Sequence, residues 1–312
     1  MNTLDLFAGV GGVRLGFDNN GFKCVFANDI EPKTKLTYDL NFKKTKLHIG
    51  DINDISISSL PHFDVLTGGF PCQAFSRAGK REGFNDEVKG TLFFHIAEIL
   101  RLRQPKAFFL ENVSQLLTHD NGNTFNTIKQ VIKELGYHLH YKVLRSSDFN
   151  VPQGRKRLFL VGFKDDVPFQ FPEPIPLTKT IQDLLEPSVD TEYFIDKKHK
   201  FYQPIIDGVI NTDTIYQWRR RYVRENKSKL CPTIVATVGG VLTLVKTHKG
   251  VRQLTPRELF RFQGFPDSYQ LPDYSYQVLH HQVGNSVTVP VVDAIAKQMK
   301  KALNVDCQVS HG

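Results

Sequence analysis

Residues 3–17 read TLDLFAGVGGVRLGF: a short apolar run, a glycine-rich turn, then a segment able to form a helix. In an open α/β sheet, strand, glycine turn and helix in succession bring main-chain N–H groups close to a ligand at the strand's carboxyl end. The dinucleotide fingerprint GxGxxG would start at Gly9 and Gly11, but its third glycine falls on Arg14, which counts against a dehydrogenase. Asp29 closes the next apolar run, CVFAND, about 20 residues further on, where a carboxylate accepts ribose hydroxyls. Asp51, in HIGDI, follows another strand-like piece and would accept from an adenine amino group. Taken singly, each aspartate is equally a turn or cap residue. Together with the glycine turn they favour an adenosine ligand without a pyrophosphate.

Further along, FDVLTGGF and KAFFLEN repeat the pattern of a buried strand ending in small or polar residues. Between them, GTLFFHIAEILRLRQ carries apolar residues at helical spacing and predicts a face of Leu92, Ile96, Ile99, Leu100 and Leu102. TFNTIKQVIKELGY predicts a second helix, with Phe125, Ile128, Val131, Ile132 and Leu135 inward and Gly136 as its stop. Alternating strands and helices imply a mostly parallel sheet covered on both faces. From about Pro172 the texture changes to proline-rich FPEPIPL and then to weakly periodic, basic sequence. A boundary there gives a large domain of residues 1–173 and 280–312, closed by the amphipathic segment VTVPVVDAIAKQMKKAL, around a small domain of 174–279.

The formal charge of +8 favours a polyanionic partner. Four scattered cysteines with no CxxC pair suggest neither a zinc site nor a disulfide framework. The opening residues MNTLDLF lack a basic n-region before an apolar run, and no stretch approaches the roughly 18 apolar residues of a membrane span. The expectation is a soluble, cytoplasmic protein with no membrane partner.

One cysteine stands out. GGFPCQAFSRAGKREGF, residues 68–84, sets Cys72 after a rigid proline in a segment too polar and glycine-rich for core. Most free cysteines are small buried hydrophobes, but the thiolate is also a strong nucleophile. Glu111, in LENV, ends the following strand, where a protonated carboxyl would activate an electron-poor ring by donating to a ring nitrogen. In QGRKRLF, alternation places Arg155 and Arg157 on one face of a strand, with guanidinium forks suited to carbonyl or phosphate oxygens.

With these residues in view, the chain closely resembles the bacterial DNA (cytosine-5) methyltransferases of restriction-modification systems. FAGVGG, GFPCQAFS, ENV, QGRKR, RQLTPRELFRFQGFP and QVGNSV occur in that family's order, and the resemblance spans almost the whole chain. It implies an α/β fold of the class I S-adenosylmethionine-dependent type, a Rossmann-like mixed sheet with helices on both faces, plus a small, irregular, mainly β target-recognition domain whose variable part is about 175–250. It implies S-adenosylmethionine as cofactor, S-adenosylhomocysteine as product, and no metal. It makes Cys72, Glu111, Arg155 and Arg157 catalytic. Phe7, Gly9, Gly11, Asp29, Ile30, Asp51, Ile52, Pro71, Asn285 and Ser286 would surround the cofactor, Pro71 also shaping the catalytic loop.

The implied partner is double-stranded DNA, with a flipped-out cytosine as the target because a stacked base cannot be reached from both faces. A cognate restriction endonuclease would act separately, and the protein would be a monomer. Ser76, Arg77, Lys80 and Arg81 fall in a loop that would close over the DNA backbone. Arg219, Arg220 and Arg224, interleaved with Tyr216, Trp218 and Tyr222, suit groove and phosphate contact. Thr233, Gly239 and Gly240 of PTIVATVGG would approach the DNA. Trp218 is equally a candidate core anchor, Cys231 reads as packing, and Arg257, Glu258 and Arg261 as braces of the small domain. A tRNA-methylating relative would usually carry Pro-Pro-Cys and a Cys-Phe-Thr element, whereas here Phe70 precedes Pro71 and Cys72.

Overall fold

A computed structural model describes residues 1–71, 92–236 and 241–309, with side chains as far as residue 304. The chain divides into two compact units: residues 1–144, 156–173 and 291–312 form the first, and 145–155 and 174–290 the second.

The first unit is built on a seven-stranded sheet. Its strands are β1 (Asn2–Leu6), β2 (Lys23–Asp29), β3 (Leu47–Ile49), β4 (Val65–Gly69), β5 (Ala107–Val113), β6 (His138–Arg145) and β7 (Lys156–Phe163), ordered β3-β2-β1-β4-β5-β7-β6. Pairing is parallel from β3 through β5, and β7 runs antiparallel to β5. The order reverses between β1 and β4, so a crevice opens beyond the carboxyl ends of those two strands. FAGVGG leaves β1 there, and the root of the Cys72 segment leaves β4.

Alternation assigns the two faces. Leu4, Leu6, Leu66, Phe108, Leu110, Leu158 and Leu160 pack with helices α3 (Leu92–Arg103) and α4 (Asn123–Glu134). On the other face, Phe109 meets Phe17 of helix α1 (Gly12–Asp18) edge to face at 5.3 Å. Helix α8 (Val289–Val309) joins α1 there, its Asp293 accepting from Asn20. Along α3 the inward residues are Phe93, Ile96, Ala97, Ile99 and Leu100, and Leu102 is half exposed. Leu102 lies two residues past Leu100 and therefore about 200° around the helix. Helix α4 turns Phe125, Ile128, Val131 and Ile132 inward, and Gly136 beyond it takes φ +74°.

Arg14 shows why the third fingerprint glycine is missing. It is buried, its guanidinium lies over the Phe42 ring at 4.3 Å, and it donates to Tyr38 Oη at 2.8 Å and Thr45 O at 3.1 Å. Helix α1 is thus tied to helix α2 (Thr34–Asn41) and the loop after it by a cation, where a dinucleotide fold uses a glycine to pack helix on strand.

The second unit has a four-stranded antiparallel sheet, ordered β11-β10-β8-β9, from β8 (Ile215–Arg219), β9 (Tyr222–Glu225), β10 (Val241–Thr247) and β11 (Gly250–Gln253). Its core gathers Ile195, Tyr216, Trp218, Leu244 and Val251 with Ile205 of helix α5 (Tyr202–Gly208). Trp218 is the core anchor, its ring 5.0 Å from that of Phe201. Helix α6 (Pro256–Arg261) begins with a capping box from Thr255 and Glu258. Glu258 also pairs with Arg252 at 2.6 Å, both side chains buried. Arg261 pairs with Asp267, and Arg257 donates to Tyr269 O, so all three charged residues of this helix brace the unit. Cys231 is fully buried and its thiol is pushed well above the ordinary range by that burial. Residues 280–290, expected with the larger domain, group with this unit, as do 145–155. Among the described residues no helix is long and apolar enough to cross a membrane.

Candidate active site

At the end of β1 the main chain turns sharply, with Phe7 at φ +53°, Gly9 at +53° and Gly11 at +78°. A Cβ on Gly11 would sit 2.2 Å from the Phe42 ring, so both conformation and space require glycine there. A Cβ on Gly9 would meet nothing within 4 Å, so the turn lines open space. Asp29 fastens it from the neighbouring strand: Gly9 N–H donates to Asp29 Oδ2 at 2.7 Å, and Glu31 N–H to Oδ1 at 2.8 Å. Burial raises the Asp29 carboxyl above the usual range, and the backbone N–H donors oppose that rise. Beside it Ile30 is 66% exposed, an apolar side chain with no core to serve. Asp51 caps the turn Ile52–Asp54 through Oδ1, which accepts from Asn53 N–H and Nδ2, and Ile52 is buried under it.

The second cluster lies where β4 and β5 end. In register, Gly69 of β4 stands beside Glu111 of β5, and Glu111 opposite Phe159 of β7. Arg157, two residues before Phe159, shares that face and reaches the carboxylate diagonally, Nε to Oε1 at 2.9 Å. Glu111 is 9% exposed. A Cβ on Gly69 would come within 3.3 Å of Glu111 Oε2, so glycine leaves room for the carboxyl over the end of β4. Asn112 points the other way. Its Nδ2 donates to Phe70 O at 2.7 Å and its Oδ1 accepts from Val113 N–H at 2.8 Å, both buried or half-buried bonds. That anchor holds the chain one residue before Pro71, which is exposed. Cys72, Ser76, Arg77, Lys80 and Arg81 lie outside the described residues.

Arg155 lies one residue before β7 begins. It belongs to the second unit, buried, with Nη1 donating to Ile234 O at 2.9 Å and Nη2 to Ser286 O. Gln153, also buried, donates to Phe262 O and accepts from Ile234 N–H. These bonds explain why 145–155 groups with the second unit: its polar side chains satisfy that unit's carbonyls. Asn285 and Ser286 close helix α7 (Tyr276–Asn285) in the same unit.

Also in the second unit is a cleft of about 510 Å³, lined by Arg219, Arg224 and Thr233 among the expected residues and by Gln217, Asn226 and Ser228, which the sequence did not single out. Arg220 sits at the β8–β9 turn with φ +57°, exposed. Gly239 and Gly240 lie outside the described residues. Two signals were available and unused. Asn112 adjoins Glu111 on a strand, so it must face the opposite way, and Gln217 lies between two buried aromatics, so it must face solvent.

The profile of the family described as C-5 cytosine-specific DNA methylase matches residues 1–301. Type II methyltransferase M.Bsp6I of Bacillus sp. (strain RFL6) is 47% identical, the match covering 97% of this chain and 99% of that one. Type II methyltransferase M.HaeII of Haemophilus aegyptius is 43% identical over 97% and 94%. Among solved structures, a mutant DNMT2 of Spodoptera frugiperda superposes with a TM-score of 0.76 over 96% of this chain and 99% of that one, at 20% identity, a likeness of fold. The sheet order, the glycine turn, the glutamate at the end of β5 and these matches agree: the chain belongs to the C-5 cytosine-specific DNA methylase family and is a DNA (cytosine-5) methyltransferase of the restriction-modification type.

Proposed function

We propose that the chain transfers a methyl group from S-adenosylmethionine to carbon 5 of a cytosine flipped out of duplex DNA, through a covalent adduct of Cys72 at carbon 6. The observation that carries this reading is the buried Glu111, gripped by Arg157 and rooted beside the strand that leads into Cys72. The first unit fits the cofactor. The glycine turn opens on free space, Ile30 offers an apolar surface for an adenine face, and Asp29 and Asp51 offer carboxylates for ribose and adenine. Phe7, Gly9, Gly11, Asp29, Ile30, Asp51 and Ile52 would hold it. When bound it supplies an electrophilic methyl on a sulfonium.

Carbon 5 of cytosine is a poor nucleophile. Addition of the Cys72 thiolate to carbon 6 pushes an electron pair into the ring, and the charge gathers on N3 and the carbonyl oxygen of carbon 2. Glu111 supplies a proton at N3, and Arg157 both orients Glu111 and faces the oxygen with its guanidinium. The resulting enamine makes carbon 5 nucleophilic enough to take the methyl. Loss of the carbon 5 proton to a base then expels the thiolate, and return of the N3 proton to Glu111 restores the neutral aromatic ring. Arg155 acts as a positioning residue, through the carbonyls it holds. Methylation of specific duplex sites would protect host DNA from a separately acting endonuclease.

The test is transfer of labelled methyl to unmethylated duplex DNA, with tRNA and Cys72→Ala in parallel and base-resolution mapping of the product. Label on duplex cytosines that disappears with Cys72→Ala is the expected result. Label retained by that variant would sink the covalent mechanism, and label on tRNA alone would overturn the choice of DNA.

A further inference from the structure

We infer that Arg219, clasped by Gln217, reads a guanine in the major groove of the target site; this rests on the reading of the protein as a duplex-DNA methyltransferase. Strand β8 alternates cleanly. Tyr216 and Trp218 enter the core, so Gln217 and Arg219 stand on the solvent face and line the cleft of the second unit. Gln217 Oε1 accepts from Arg219 Nε at 3.2 Å and from Nη2 at 2.8 Å. This clasp takes the side edge of the guanidinium. It leaves the end edge, one N–H on each terminal nitrogen, without a partner among the described residues.

Two parallel donors in one plane are what guanine O6 and N7 accept. A phosphate contact has less need of such a clasp, because a phosphate is met from many angles and a mobile arginine serves it well. Arg220, next in sequence, shows the contrast: it is exposed at a turn and has no comparable amide partner among the described residues. The cleft supports the assignment further. Arg224 pairs in register with Gln217 across β9 and adds a second cation. Glu225, the one carboxylate among the described residues that line the cleft, accepts from Asn211 Nδ2 at 3.1 Å. Side-chain fixation in advance of binding is the same device that makes a planar fork discriminate, since the guanidinium need not be ordered at the moment of contact.

The experiment is base-resolution methylation of a duplex library randomised around the modified cytosine, comparing the unaltered protein with Arg219→Ala, Arg219→Lys and Gln217→Ala. The unaltered protein is expected to require a guanine at one position at least. Arg219→Ala and Arg219→Lys are both expected to lower the preference for that guanine about 10- to 100-fold while the other positions keep theirs. Gln217→Ala should relax the same position by less. Replacing that guanine with 7-deazaguanine, which lacks the N7 acceptor, should impair the unaltered protein and have no further effect on Arg219→Ala.

Uniform loss across all sequences with Arg219→Ala, largely restored by Arg219→Lys, would make Arg219 a phosphate contact and overturn the inference. Unchanged selectivity, or a target with no guanine, would overturn it as well. If the unaltered protein methylates no duplex at all, the underlying reading falls and takes the inference with it. The two failures are therefore distinct.

Discussion

The first unit and the second solve positioning in opposite ways. Around Glu111 and the glycine turn, placement comes from the main chain: strand register sets Gly69 beside Glu111, positive φ angles shape the turn, and N–H groups fasten Asp29. In the cleft of the second unit it comes from side chains on the outer face of a small sheet, with Gln217 holding Arg219. The difference teaches where change is tolerated. A site built on main-chain register cannot move one group without disturbing a strand, which suits a fixed reaction. Solvent-facing side chains on a braced sheet can be exchanged without touching the core.

If that division holds, Glu111→Gln should have the largest effect, a fall in kcat of about 10²–10⁴. S-adenosylmethionine binding by calorimetry and duplex affinity should stay near their starting values. An equal loss of cofactor affinity would show that Glu111 props the glycine turn and does not act on the base.

Next comes Trp218→Ala, at about 3–5 kcal/mol, because the ring fills the centre of the second unit's core. The expected readout is loss of specific duplex binding with cofactor binding retained. Loss of both together in calorimetry would show that the two units do not fold independently.

The smallest effect tests the first unit's own core. Asp5 lies fully buried on β1, its Oδ1 accepting from Thr67 Oγ1 at 2.7 Å, and burial raises its carboxyl from 3.8 to about 7. The folded state therefore holds this proton more firmly than the unfolded chain. The associated stability is complete below 3.8 and is lost as pH rises through about 7, by roughly 4 kcal/mol at most. Melting temperatures at about pH 5 and about pH 8 should differ less in Asp5→Asn than in the unaltered protein. An identical pH response would remove Asp5 as the source.

Much of the first unit was legible because its strands are buried on both faces and read as apolar runs: TLDLF, CVFAND, FDVLTGGF and KAFFLEN coincide closely with β1, β2, β4 and β5. The exposed Leu102 was misplaced because an apolar residue near a helix end satisfies the period loosely. The partners of Arg155 were illegible for a different reason. Two-residue alternation assumes that Arg155 and Arg157 lie on one strand, whereas β7 begins at Lys156 and Arg155 is drawn to the carbonyls of Ile234 and Ser286. Those partners are 79 and 131 residues away, a separation no local pattern encodes. The second unit was harder throughout. Its strands are short, and half of each faces water, so the residues that line the cleft carry no periodic signal beyond their alternation with Tyr216 and Trp218.

Glu111 and Asn112 are consecutive, yet one faces Arg157 and the other grips Phe70 O across the gap to β4. Any thermal drift of β5 then carries the carboxyl and the root of the Cys72 segment in the same direction. What a reaction between two groups senses is their relative displacement, and correlated motion cancels from that difference. One strand thereby serves as a shared frame of reference, keeping carboxyl and loop root in step without requiring either to be still.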